Sequence, residues 1–141
     1  MRLHIIARGR IGRCPEADLV ERYARRLPGQ LHITEIGESA AWPVFGPPFA
    51  PGRTVVLDET GRDLASAELA ARLGRWRDEG CREVRFLIGA ADGHDDATRA
   101  GADLLLGLGR ATWPHMLARA MLAEQLYRAM SILSGHPYHR A

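Results

Sequence analysis

Lysine is missing from this chain altogether: its 19 basic residues are all arginine. That excludes a Walker-type phosphate loop, whose chemistry needs a lysine beside its glycines. Cysteine is nearly as scarce. Cys14 and Cys81 stand far apart, so there is neither a disulfide framework nor a Cys-x-x-Cys metal or redox motif, and the usage fits a reducing, cytoplasmic compartment. Surplus charge of one sign is lacking too. The arginines face 17 acidic residues, leaving a net charge of only +2, far from the footprint of a protein that coats nucleic acid by bulk charge. Any contact with RNA must therefore be local. The arginines are scattered rather than blocked, which fits codon bias in a GC-rich genome better than a selected phosphate array. Long hydrophobic runs do not occur. The apolar part of Met1–Arg8 is too short for a signal peptide, and Leu104–Leu108 falls far below the ~20 residues of a membrane span. A soluble protein without membrane segments is expected.

What the chain does have is 141 residues, 46% of them hydrophobic, enough for one compact core and too few for two. One domain over residues 1–141 is expected. Leu3–Ala7 reads as a strand, Pro15–Leu27 as a helix opened by its proline and closed by Pro28-Gly29, and Leu31–Ile36 as a second strand. Between Gly37 and Gly52 four prolines sit among Trp42, Val44, Phe45 and Phe49, which predicts an ordered, irregular loop. Beyond it, Thr54–Leu57 reads as a strand, Ser66–Arg77 as an amphipathic helix and Glu83–Ile88 as a strand. Ala97–Leu105 is predicted as a short helix, Gly109–Trp113 as the last strand, and Pro114–Ser134 as a final helix stopped by Gly135. Strands alternating with helices predict a parallel α/β sheet. Its ligands belong beyond the carboxyl ends of the strands, after Leu57, after Ile88 and around Gly109.

Two glycine-bearing segments stand at those ends. Ile88-Gly89-Ala90-Ala91-Asp92-Gly93 is either a close backbone approach to a ligand or only a tight strand-to-helix turn. Leu106–His115 reads Leu-Gly-Leu-Gly-Arg-Ala-Thr-Trp-Pro-His. It either offers main-chain groups to an adenine edge or buries a strand with Trp113 as core filler. On the final helix, Glu124 and Arg128 are spaced for an ordinary ion pair, and Arg119 and Arg128 lie far enough apart that at least one is expected to face a phosphate or a partner subunit. The terminus His136-Pro137-Tyr138-His139-Arg140 lacks a third ligand for metal, and Pro137 breaks any regular spacing. No metal site is expected there. Its phenol, imidazoles and guanidinium suit base stacking and phosphate contact.

In their order and spacing, the IGAADG turn, the LGLGRATWPH segment, AEQLYRAMSI and the terminal HPYHR resemble the ribosomal RNA large subunit methyltransferase H family. These are SPOUT, or α/β-knot, methyltransferases. The resemblance spans nearly the whole chain and is concentrated from Arg53 onward. It implies a C-terminal trefoil knot, an exception to the rule that chains avoid knots. It also implies S-adenosylmethionine as methyl donor, and N3-methylation of a pseudouridine in 23S ribosomal RNA on the assembled 70S ribosome by a homodimer. The cofactor positions it implies are Leu57, Gly89, Leu108, Gly109, Arg110, Ala111, Thr112 and Trp113. The chain departs from the family pattern at Ala90, Ala91 and Asp92, where glycine, proline and glutamate are usual. Trp113 replaces a smaller apolar residue, and the 37–52 loop is shorter than its counterpart.

The imide N3 of the target carries a proton that must be removed, or its anion stabilised, whereas a sulfonium is already a good leaving group. The candidates for that work are His139 as base or orienting group, Tyr138 as positioning group, and Arg128 or Arg140 as electrostatic partners. A non-catalytic module occupying a ribosomal site is the alternative, if the altered turn at Ala90–Asp92 no longer holds a cofactor.

Overall fold

Every strand pairing is parallel, and the single sheet runs in the order β2-β1-β4-β3-β5. The structure is a computed structural model and describes residues 1–140. Along the chain come β1 (Arg2–Arg8), α1 (Pro15–Arg25), β2 (Leu31–Ile36), β3 (Gly52–Asp63) and α2 (Ser66–Asp78). They are followed by β4 (Glu83–Ile88), α3 (Asp96–Ala100), β5 (Leu104–Gly107) and α4 (His115–Ser134). The expected α/β class therefore holds.

One sheet face carries the main core. Leu3, Ile5, Val55, Val84, Phe86 and Leu106 meet Leu69, Leu73 and Trp76 of α2 and Leu122, Leu126 and Ala129 of α4. At about 25 cal/mol per Å² of apolar surface removed from water, this packing is what holds the helices to the sheet. α4 follows from its apolar stripe and ends as its sequence predicts: Gly135 takes φ 75°, and the His136 amide donates to the Ser131 carbonyl at 2.9 Å.

The opposite face is covered by the proline-rich segment instead of a long helix. Trp42 packs on a small cluster of Ile6, Val56 and Leu87. Beside it lies a charged group: Glu83, 1% exposed, takes Arg85 Nε at 2.6 Å and Arg2 Nε at 2.9 Å. The Arg85 guanidinium also donates to the carbonyls of Pro43 and Val44 and stacks on Phe45, and Arg2 stacks on Phe49. The charges of the sheet thus hold the loop's carbonyls and rings, which supplies the partners that buried ions require.

Three sequence expectations are corrected. The helix expected over 97–105 ends at Ala100, and the last strand is Leu104–Gly107 rather than 109–113. The Asp95 side chain caps the Thr98 amide at 2.7 Å, fixing a short helix that stops at Gly101, and Gly109 at φ +94° takes the chain out of strand geometry. The third strand also runs past Leu57 to Asp63. Leu106 is paired with both Leu57 and Arg62, so residues 58–61 arch outward between those pairings. Only glycine fits at position 61, where an added Cβ would lie 2.7 Å from the backbone of Leu105 and Leu106.

Candidate functional site

The ends of β3, β4 and β5 enclose a cleft of about 600 Å³, within the range of small-molecule sites. Of the positions implied for a cofactor, Leu57, Gly89, Leu108, Gly109, Ala111, Thr112 and Trp113 line it, and exposed Arg110 lies outside its wall. Why main chain dominates here is visible atom by atom. A Cβ on Gly89 would meet the Gly93 carbonyl oxygen at 3.1 Å and the His94 ring at 3.2 Å. The Gly93 amide donates to the Ala90 carbonyl at 2.9 Å, closing the turn. Across the cleft, Asp63 Oδ1 accepts the Gly109 amide at 3.0 Å, and Trp113 Nε1 donates to the Leu108 carbonyl at 2.8 Å, folding residues 108–113 back on themselves. Trp113 is 42% exposed, so it is a wall of the cleft and not core filler. The 88–93 segment is a tight turn that needs glycine at 89 for its own packing, and both glycine segments line the cleft.

Sequence reasoning missed His94, Asp58 and His115, which also line the cleft. A lone histidine in a polar turn carries no spacing signal. Burial pushes the His94 imidazole below its ordinary 6.5, with Asp58 and nearby backbone carbonyls opposing it only in part. His4 is likewise depressed by burial, against the pull of Glu83. Both rings are thus more readily protonated in the unfolded chain, so stability is intact above about pH 6.5 and eroded as pH falls below it. The melting temperature is expected to hold from pH 7.5 to about pH 6.5 and to decline from there to pH 5, less steeply in His94→Gln. A flat profile in calorimetric melts of the parent protein would show that these rings are not held neutral by the fold.

The terminal residues gather elsewhere. Arg128 donates to Glu124 Oε1 from Nε at 2.9 Å and from Nη2 at 2.5 Å, the ion pair that their spacing predicted. Its Nη1 lies 3.3 Å from His139 Nδ1. The Tyr138 hydroxyl donates to Glu124 Oε1 at 3.0 Å, and its ring meets Tyr127 edge-on at 4.6 Å. Burial, with Tyr23 and Glu124 beside it, raises the Tyr138 phenol far above its ordinary value, so it stays neutral. Arg140 is exposed. Tyr138, His139 and Arg128 therefore form one cluster, but not in the cleft. Glu124, which holds them, lines a second cavity of about 410 Å³ bounded by Leu106–Gly109. It stands nine residues, or about 14 Å of helix rise, beyond His115. Arg119 departs from expectation as well. It is 1% exposed and bonded to Glu35 at 2.5 Å, so neither it nor Arg128 is left facing outward unpaired.

A parallel sheet with a main-chain cradle at its carboxyl edge is what a SPOUT-type donor site requires, and residues 49–139 match the family model described as "Predicted SPOUT methyltransferase". The chain belongs to that family, and within it to the group of the ribosomal RNA large subunit methyltransferases H. It is 65% identical over 140 residues to the "Ribosomal RNA large subunit methyltransferase H" of Novosphingobium aromaticivorans, covering 99% of each chain. The proteins of the same name from Rhizorhabdus wittichii, at 63% with 99% of each chain covered, and Erythrobacter litoralis, at 60% with 100% of this chain and 99% of the relative, are similar over equal extents.

Proposed function

We propose that this protein methylates N3 of a pseudouridine in 23S ribosomal RNA, using S-adenosylmethionine, on the assembled 70S ribosome in the cytoplasm. The working unit is a homodimer of one SPOUT-like domain spanning residues 1–141. The observation that carries this reading is the convergence of three strand ends, in a chain of this family, on one cleft walled by Gly89 and Leu108–Gly109. The arch of residues 58–61 beside Leu106 supports the C-terminal knot that the family implies.

The cleft fits the cofactor. Its size suits a nucleoside with a short amino-acid arm, and glycine stands at three of its wall positions, 89, 93 and 109, where no side chain fills the space. Leu57, Gly89, Leu108, Gly109, Ala111, Thr112 and Trp113 would hold it. When bound, S-adenosylmethionine supplies an electrophilic methyl group on a sulfonium. The protein's own contribution is orientation and stabilisation of the imide anion, the N3 proton passing to solvent. Arg128 cannot accept a hydrogen bond, so the 3.3 Å contact makes His139 Nδ1 the acceptor and leaves the neutral ring's proton on Nε2. His139 so arranged orients a base carbonyl through Nε2–H, and neutral Tyr138 offers a ring for positioning. Arg128 is engaged with Glu124 and anchors the pair, while exposed Arg140 is placed for a phosphate.

Because these groups sit away from the cleft of their own chain, a second copy presenting its terminus to that cleft completes the site. That is the structural support for a homodimer. The reading is tested by incubating the protein and S-adenosylmethionine with 70S ribosomes and separated subunits from a strain lacking the activity, then mapping the modified base by mass spectrometry. One added methyl on a large-subunit pseudouridine of assembled particles is the expected result. Absence of cofactor binding by calorimetry, or methylation of another base, overturns it.

A further inference from the structure

The loop joining β1 to α1 reads Gly9-Arg10-Ile11-Gly12-Arg13-Cys14, and it is held more firmly than its composition suggests. Gly9 and Gly12 adopt φ of +87° and +66°, giving tight bends. The Gly9 amide donates to the Ile36 carbonyl at 2.9 Å, and the Ile11 amide to Glu35 Oε2 at 2.8 Å. From beneath, Arg119 of α4 donates to the same Glu35 oxygen at 2.5 Å and to the Gly9 carbonyl at 3.3 Å. Arg119 is the largest fully buried side chain, and burying a guanidinium is costly unless its charge and donors are matched. Here that costly group serves mainly to fix a surface loop.

The same loop points two cations outward. Arg10 and Arg13 are exposed and form no ion pair among the described residues. Arg25, Arg99 and Arg128 are neutralised by Glu21, Asp96 and Glu124. Arg22, Arg62, Arg82 and Arg110, however, are as exposed and unpaired as Arg10 and Arg13, so what distinguishes these two is the anchored loop that carries them. Residues 9–14 do not line the cleft themselves but follow β1, whose Ala7 pairs with Ile88 in the cleft wall. Arg119 follows Ala118, which lines the cleft, and Arg8 at the loop's start is close enough to His94 in the cleft wall to disfavour its protonation.

We propose that residues 9–14 form a phosphate-binding rim that seats the RNA backbone beside the cleft, with Arg10 and Arg13 as the contacts and the Glu35–Arg119 pair as the internal anchor. The identity of the polyanion rests on the methyl-transfer reading above. Guanidinium forks bind phosphate oxygens in pairs, and contacts of this kind set register and orientation, leaving base selection to other groups. In a chain of net charge +2, two exposed arginines outside any ion pair, on an anchored loop beside the strand that ends at the cleft, supply the local attraction that bulk charge does not.

The test is the R10A/R13A protein, full length, assayed with 70S ribosomes beside the parent. Its melting temperature and its affinity for S-adenosylmethionine are expected to match the parent's. The ribosome concentration at half-maximal rate rises about ten-fold with kcat little changed, and the slope of log affinity against log salt flattens by about 1.4, at about 0.7 per lost contact. R10K/R13K restores the salt slope, since an ammonium still neutralises a phosphate, but only part of the affinity, since it lacks the fork that binds two oxygens. Unchanged half-saturation together with an unchanged salt slope in R10A/R13A overturns the proposal. If the parent itself methylates nothing, the functional reading fails separately, and co-sedimentation with ribosomes still decides the rim. Weaker binding by the alanine variant supports it, and equal binding overturns it.

Discussion

A chain ending at Gly135 is expected to bind S-adenosylmethionine within a few-fold of the full-length protein and to methylate no ribosomal RNA. The deletion removes His136 through Ala141 and leaves the cleft untouched, because none of its lining residues lies beyond Ala118. α4 survives it. Leu122, Leu126 and Ala129 remain buried, and Gly135 keeps its own amide bond to the Ile132 carbonyl at 3.3 Å, so only the His136–Ser131 bond of the cap is lost. The Glu124–Arg128 pair also remains, now without Tyr138 and His139 against it. What disappears is the group of polar side chains able to orient a base or stabilise its imide anion, and that orientation is where most of the rate arises when the leaving group is already good. Calorimetric titration with S-adenosylmethionine and a ribosome methylation assay on one preparation read the two functions apart. Collapse of cofactor affinity in the truncated chain would show that the tail belongs to the donor site, contrary to the cavity walls described above.

Much of this arrangement is readable from residues alone, and the exceptions have physical causes. β1 and β4 follow from short runs buried on both faces of a parallel sheet, β2 from its alternation and α4 from its apolar stripe at helical spacing. The cradle is legible for a different reason: glycines at strand ends mark places where the backbone itself is used, and Gly89 and Gly109 stand there. The boundary between α3 and β5 was misread because Ala97–Leu105 is apolar enough for either element, and only the Asp95 cap and Gly101 decide it. Pairings between distant residues leave no periodic trace. Glu35 and Arg119 are 84 positions apart, and nothing in either neighbourhood announces the other. Glu83 and Arg85 carry charges in a strand buried along its whole length, and the carbonyls that receive Arg85 come from a loop 42 residues earlier.

The Glu35–Arg119 pair carries the other large expected effect, and it is asymmetric. Arg119 is 1% exposed whereas Glu35 is 35% exposed, so the consequence depends on which partner is removed. Glu35→Ala strands a full positive charge in the interior, with its Nε already lacking a partner, and deprives the Ile11 amide of its acceptor. Breaking a buried pair in this way costs about 3–5 kcal/mol, which for a domain of this size lowers the melting temperature by roughly 10 °C or more. Arg119→Met leaves a carboxylate that water can still reach and fills the vacated space with an apolar chain of similar length, so a loss nearer 1–2 kcal/mol is expected. The double variant E35A/R119M should then be more stable than E35A alone, because removing the stranded cation relieves the larger penalty. Thermal melts of the three proteins beside the parent measure this directly. Equal losses for the two single variants, adding in the double, would mean that the guanidinium reaches solvent and that the loop at residues 9–14 is not anchored through it.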